Sequence, residues 1–285
     1  MKKKKSQTIL RKVIQTINNI KQLKVGLILL FILLLVAVFA PIIATHNPYS
    51  LDSDLLVPPS SPHLLGTDGI GHDVFSMVVY GARTSLIIGV IAATISGIIG
   101  TILGGLAGFL GGKTDRVLNE FFNIFMMMPT FFLVLIIIAL FGSSMTNLIL
   151  VIGLTMWASN ARLMRAQAMS IRERTFILSA TAIGESKIQI LFKHVIPNGI
   201  FPIIANTTMN IATAILIESS LSFLGLGDPN VVSWGQIISE GRSYLASAWW
   251  ISTFAGFCIV LTVVAFYLVG DGLNRILSPK LNHNY

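Results

Sequence analysis

Between Glu120 and Arg162 the chain reads FFNIFMMMPTFFLVLIIIALFGSSMTNLILVIGLTMWASNA (residues 121–161), forty-one residues without a charged side chain. The hydrocarbon core of a bilayer is about 30 Å thick, so a helix needs about 20 apolar residues to cross it. Forty-one residues therefore make two crossings, and Gly142-Ser143-Ser144 supplies the turn between Phe121–Phe141 and Met145–Ala161. The spans must be helical or part of a closed barrel, because lipid offers nothing to an unpaired backbone N–H or C=O.

Four more stretches share this character: Val25 to Ala44, Thr84 to Phe109, Ile200 to Leu221, which is more polar and carries Glu218, and Trp249 to Gly270. The chain has 285 residues, 54% of them hydrophobic and only 11% charged, against about 25% charged in soluble domains. An all-α integral membrane protein with six transmembrane helices is expected. The lone Cys258 can form no intrachain disulfide. Eighteen of the twenty Lys and Arg fall in residues 1–24, 110–120, 162–196 and 271–285, and the alternate loops hold only Arg83 and Arg242. Positive loops stay inside, which predicts both termini cytoplasmic in a multi-pass cell-membrane protein. The net charge of +8 is accounted for in this way, and nucleic acid is not an expected partner, whereas membrane lipid is. The first apolar run exceeds the 7–15 residues of a signal-peptide core, so Val25–Ala44 reads as a retained helix. The organisation expected is a basic segment 1–24, a first helix with a long outer loop over 25–83, a five-helix core over 84–272 and a tail over 273–285.

One inner loop, 162–199, is long and patterned. Ile188, Leu191, Phe192 and Val195 follow i, i+3, i+4, i+7, one face of an amphipathic helix that Pro197 would end, while Ile177, Ala180 and Gly184 fall on another face, with Gly184 able to divide the helix. Such a pair suits either docking into a protein groove or resting on lipid headgroups through its arginines. In the fifth span Asn206, Asn210 and Thr213 form a polar stripe at i, i+4, i+7, which should line a water-filled path or bond between helices. Glu218, near the outer end of that span, reads as an outer gate or a structural anchor. Gly100, Gly104, Gly108 and Gly112 give the second span a face without side chains, suited to close packing within the chain or against a second subunit. Pro129 should kink the third span. Ala107 to Thr114 is one residue short of a phosphate-binding loop, but it ends an apolar helix instead of joining a strand to a helix, so no ATP site is expected here. His46, His63, His72, His194 and His283 show no metal-ligand spacing and no metal site is expected, with only His63 and His72, on the outer side, kept as candidates.

Ser179-Ala180-x-x-x-Gly184, Ile190 and His194-Val195-Ile196-Pro197-Asn198 resemble the Glu-Ala-Ala loop of permease subunits of ATP-binding-cassette importers, with Leu178 and Ser179 at the positions of the namesake Glu and first Ala. Gly66-Thr67-Asp68-x-x-Gly71-x-Asp73-Val74, Tyr80-Gly81-Ala82-Arg83-x-Ser85-Leu86, Leu221-Ser222-Phe223-Leu224-Gly225-Leu226-Gly227, Trp234-Gly235 and Gly270-Asp271-Gly272-Leu273 are similar to the dipeptide, oligopeptide and nickel permeases. The resemblance implies the type I importer permease architecture, a homologous second permease subunit, two ATPase subunits that hold the ATP, and an extracytoplasmic substrate-binding protein. It also implies ATPase coupling through Ser179, Ala180, Gly184 and Pro197, and a path past Asn206, Asn210, Thr213 and Glu218. The chain itself would be no enzyme and hold no cofactor; its cargo would be short peptides, nickel or metal chelates, and His63 and His72 are candidates only for a nickel-type cargo. The alternative is an ion-coupled secondary transporter or channel, but the span centres lack the ionisable residues such proteins use.

Overall fold

A computed structural model describes residues 20–51 and 53–277. The expected basic segment lies outside the described residues up to Asn19, as does the expected tail from Ser278 onward, His283 included. The described residues form helices and a single isolated bridge, Thr67 to Asp73, with no β-strand among them. In chain order the helices are α1 (Lys21–Val38), α2 (Ala40–Ile43), α3 (Val74–Leu110), α4 (Gly112–Met127), α5 (Thr130–Phe141), α6 (Met145–Thr155), α7 (Trp157–Arg172), α8 (Thr175–Ala182), α9 (Lys187–Ile190), α10 (Ile196–Gly199), α11 (Phe201–Phe223), α12 (Trp234–Gly241) and α13 (Trp250–Leu277).

Among the described residues α1, α3, α11 and α13 are each long and apolar enough to cross a membrane, and α4 with α5, bent by 81° between them, is a broken span or a re-entrant loop. The six expected spans map onto these helices with four revisions, and the fourth, split into α6 and α7, is not among the helices long enough to cross a membrane. The first stops at Val38 because Pro41 has no N–H for the Ala37 carbonyl, so the chain breaks at Phe39 and restarts as α2 with the proline in its first turn. The second begins ten residues before Thr84, since Asp73 caps α3 by accepting from the Ser76 N–H at 2.8 Å and Arg83 points out of the packing. Its 37 residues extend about 55 Å. The third does more than kink. Pro129 cannot serve the Phe125 carbonyl, Met128 turns extended, and the two limbs separate. The fourth is divided at Met156, where the Thr155 hydroxyl donates to the carbonyls of Val151 and Ile152 at 2.8 and 3.0 Å and loosens the ladder.

α3 is the axis of the bundle, touching α1, α6, α7, α11, α12 and α13, most extensively α7. Gly100, Gly104 and Gly108 make that contact. A Cβ on Gly100 would strike Asn160 and the Trp157 carbonyl, one on Gly104 the Ala161 carbonyl, and one on Gly108 the Arg165 carbonyl. The side-chain-free face thus packs within the chain. Gly112 does not share it: a Cβ there meets nothing within 4 Å, and its φ of +57° starts α4 after the Gly111 turn. Arg165 then grips Asp115 in a two-pronged pair, Nε to Oδ1 at 2.5 Å and Nη2 to Oδ2 at 2.7 Å, tying α4 to α7. At the Asp73 end, the segment from Ala44 to Asp73 folds over α13, where the Trp250 Nε1–H donates to the Thr67 carbonyl at 3.1 Å.

Gly104→Leu should destabilise the fold by about 3 kcal/mol or more, because the obstacle is backbone and cannot rotate away. Gly256→Ala, whose Cβ would find only Ile238 at 3.9 Å, should be neutral or stabilising by up to about 1 kcal/mol. Thermal unfolding of the two variants in mild detergent separates these outcomes.

Candidate functional site

The segment between α7 and α11 has one face held by the bundle and one left open. Ile177 and Ala180 from α8, Ile190 from α9, and Leu191 and Val195 are buried together against Phe109 of α3 and Met164, Ala168 and Ile171 of α7. α8 ends in a Schellman turn: the Gly184 N–H donates to the Thr181 carbonyl and the Glu185 N–H to the Ala180 carbonyl, both at 3.1 Å. That turn requires the left-handed backbone of Gly184, φ +86°. Gly184 therefore divides the helix as expected, and a Cβ on it would meet nothing within 4 Å. Ser186 caps the next turn through the Gln189 N–H. Glu185 is clamped by Lys193 Nζ at 3.2 Å and His194 Nε2 at 2.9 Å. These two hydrogen bonds hold its carboxyl below the usual carboxylate range.

The expected face of Ile188, Leu191, Phe192 and Val195 is split. Leu191 and Val195 are buried, whereas Ile188 and Phe192 are exposed. Residues Leu191–Val195 form a π turn, in which the Ile196 N–H reaches the Leu191 carbonyl, and the wider turn shifts the register so that Ile190 takes the inward place. Pro197 explains the turn, since its ring crowds the carbonyl four residues back. It does not end the helix, which continues as α10 to Gly199. Ser179 and Pro197 are exposed, but Ala180 is covered by its own chain. Open to the surroundings instead are Leu178, 60% exposed, and Ile183, 78% exposed, flanking the Gly184 turn together with Phe176. An apolar tip on a charged loop suits contact with a partner protein or with lipid headgroups.

The polar stripe of α11 divides in two. The Asn206 Nδ2–H donates to Asn160 Oδ1 at 2.9 Å, and Asn160 donates on to Ser96 Oγ at 3.4 Å, a network joining α11, α7 and α3. Asn210 and Thr213 instead line a cavity of about 240 Å³ with Thr130, Thr155, Ser159 and Met156. Both helix breaks, at Pro129 and at Met156, border this cavity. The Asn210 Nδ2 is buried there without a protein partner. Glu218 does not line it: at 1% exposure, Glu218 accepts from Ser222 and Ser233 at 2.8 Å and from Ser219 at 3.3 Å. Ser233 is also the N-cap of α12, so the carboxyl joins two helices. Thr155, Ser159 and Asn160 were not singled out from the sequence. Their signal was a short polar run inside an uncharged span.

Asn206→Ala should cost about 1–3 kcal/mol by leaving Asn160 short of a buried partner. Asn210→Ala, which removes an already unpartnered donor, should change stability by less than about 1 kcal/mol. Melting of the two variants in detergent checks the contrast.

Comparison with known proteins gives a consistent picture. The model of the family described as "Binding-protein-dependent transport system inner membrane component" matches residues 100–283. The chain is 37% identical to the dipeptide transport system permease protein DppC of Alkalihalophilus pseudofirmus, over 92% of this chain and 88% of that one. It is 34% identical to the oligopeptide transport system permease protein OppC of Bacillus subtilis, over 98% and 92%, and 36% identical to the probable D,D-dipeptide transport system permease protein DdpC of Escherichia coli, over 89% and 86%. A solved structure of the MetNI methionine ABC transporter in inward facing conformations superposes with a TM-score of 0.56 at 20% identity, covering 71% of this chain and 95% of its own.

Proposed function

The chain belongs to the family of binding-protein-dependent transport system inner membrane components, and from that premise we propose that it is the permease subunit of an ATP-driven importer of short peptides. Transport by dipeptide and oligopeptide relatives favours peptides over nickel or metal chelates as cargo. ATP is hydrolysed on two separate ATPase subunits, a second permease subunit completes the path, and a binding protein delivers cargo from outside. Both termini lie in the cytoplasm, which puts the Gly184 turn on the ATPase side and the Asp73 end of α3 outside.

The observation that carries the reading is the two-faced loop. Ile177 and Ala180 root α8 in the bundle while Leu178, Ile183 and the Gly184 turn stand clear of it. A docked ATPase closing on this tip moves the buried face with it, because the Glu185 clamp and the Schellman turn leave little slack. The force passes into α7 and α11, which border the polar cavity, and the bundle shifts between inward-open and outward-open states. In this scheme Asn210 and Thr213, with Thr155 and Ser159, offer uncharged donors and acceptors to a peptide backbone, which every short peptide presents whatever its side chains. Glu218 serves as the anchor of the outer helices.

A Cβ on Gly184 meets nothing within 4 Å in its own chain, so beyond the backbone strain of its positive φ, which Asn tolerates, side-chain bulk there matters only to a partner. Gly184→Arg should lower uptake of labelled dipeptide by about tenfold or more and lose the co-purifying ATPase, with membrane insertion unchanged. Gly184→Asn, small and tolerant of positive φ, should retain most of both. Normal uptake by the arginine variant would sink the docking role.

A further inference from the structure

Three potential metal ligands far apart in sequence meet at the Asp73 end of α3. His46 follows α2, His63 lies midway along the loop, and Asp73 is the N-cap of α3. One ligand atom from each lies within 4.8 Å of the others. His63 Nδ1 is 2.9 Å from Asp73 Oδ1 and His46 Nδ1 is 3.7 Å from the same oxygen, while the imidazoles face each other at 4.8 Å between centroids. We propose that His46, His63 and Asp73 form a binding site for one divalent transition-metal cation, Zn²⁺ or Ni²⁺, which ties the loop to the start of α3.

Zinc held at about 2.0–2.1 Å in tetrahedral geometry separates its ligand atoms by about 3.3 Å. The two distances to Asp73 Oδ1 straddle that value, and the His46 and His63 ligand atoms, within 4.8 Å of each other, close by up to about 1.5 Å through rotation of the half-exposed His46 ring. The cation takes the position of the hydrogen between His63 and Asp73, and the His63 ring then carries its hydrogen on Nε2. His46 Nδ1 exchanges its contact with Thr45 Oγ1, 3.0 Å away, for the metal. Water fills the fourth position, reached past His46, whose side chain is 39% exposed. Two imidazoles and one carboxylate suit zinc or nickel and do not suit magnesium or calcium, which take oxygen ligands.

The surrounding shell already holds these groups in place. Asp73 Oδ2 accepts from the Ser76 N–H at 2.8 Å and from the Ser76 hydroxyl at 2.7 Å, and from Thr45 Oγ1 at 3.3 Å, which leaves Oδ1 turned toward the histidines. The same Ser76 Oγ accepts the backbone N–H of His46 at 3.0 Å. One serine thus orients both a ligand carboxylate and the backbone of a ligand histidine, the outer-shell arrangement that metal sites use. A cation there links segments 27 residues apart through coordination bonds, in addition to the hydrogen bonds and apolar packing that already join them.

The test uses the full chain, purified in mild detergent on a tag free of histidine with the subunits that accompany it, stripped with EDTA and dialysed against Zn²⁺. Wild type should bind one zinc per chain that Mg²⁺ does not displace, and zinc should raise its melting temperature. His46→Gln and His63→Gln should each weaken binding by about tenfold or more, and the double variant should lose both the ion and the thermal shift. Binding unchanged in the double variant, or none in the wild type, overturns the site. Should the variants fold poorly, Co²⁺ absorption of the wild type decides: an intense visible band reports a four-coordinate site with nitrogen ligands, and the weak spectrum of an all-oxygen octahedral ion rejects it.

Discussion

The close approach of α3 to α7 is the contact on which the rest of the fold depends. Within lipid, apolar side chains gain little by leaving one hydrocarbon surroundings for another, so helices associate through dispersion and hydrogen bonds at short range. Gly100, Gly104 and Gly108 bring α3 against the Trp157, Ala161 and Arg165 carbonyls of α7. That approach fixes α7, and with it the Asn160 amide that receives Asn206 from α11 and the Arg165 guanidinium that grips Asp115 on α4. Three helices are therefore positioned by one glycine face.

A bundle held so tightly at one contact can tolerate looseness elsewhere, and the breaks at Pro129 and Met156 are where it occurs. Each break interrupts a ladder that lipid could not satisfy, and each lies beside a cavity lined with hydroxyls and an amide. Irregular backbone at membrane depth survives where it borders polar space and not where it faces lipid. The same rule places the polar half of the α11 stripe. Asn206 finds Asn160 and becomes structure, while Asn210, one turn on, finds no protein partner and faces the cavity.

Much of this was legible in the sequence because it rests on short-range rules. The Gly142 turn and the Gly184 break each express a positive φ, and the structure returns both, together with three of the four glycines of the repeat; the forty-one uncharged residues are helical but broken at Pro129 and Met156. What escaped depends on neighbours that no window of sequence contains. A charge at Arg83 reads as a boundary in the sequence, yet a helix capped by Asp73 carries it on its exposed side. The face of Ile188, Leu191, Phe192 and Val195 assumed 3.6 residues per turn, and the π turn forced by Pro197 changed the count. His46, His63 and Asp73 have no motif spacing at all; they are joined by a loop whose path is set by Gly66, Thr67 and Trp250.

In the proposed coupling role, the register shift in the loop bears on how a push from a partner would be transmitted. With 3.6-residue turns throughout, Ile188 and Phe192 would have faced inward and the apolar surface would have been spent within the bundle. The wider turn instead buries Ile190, Leu191 and Val195 and leaves Ile188 and Phe192 outside. A segment needs both surfaces to act as a lever: one packed closely enough that motion at the tip becomes motion of α7 and α11, and one apolar enough to hold a partner. Protein interiors pass strain along because they are close-packed, so the buried half must have few voids and the exposed half must lack internal partners. Ala180 and Gly184, four residues apart, satisfy these opposite demands, the first enclosed by its own chain and the second with nothing of that chain within 4 Å of where its side chain would stand.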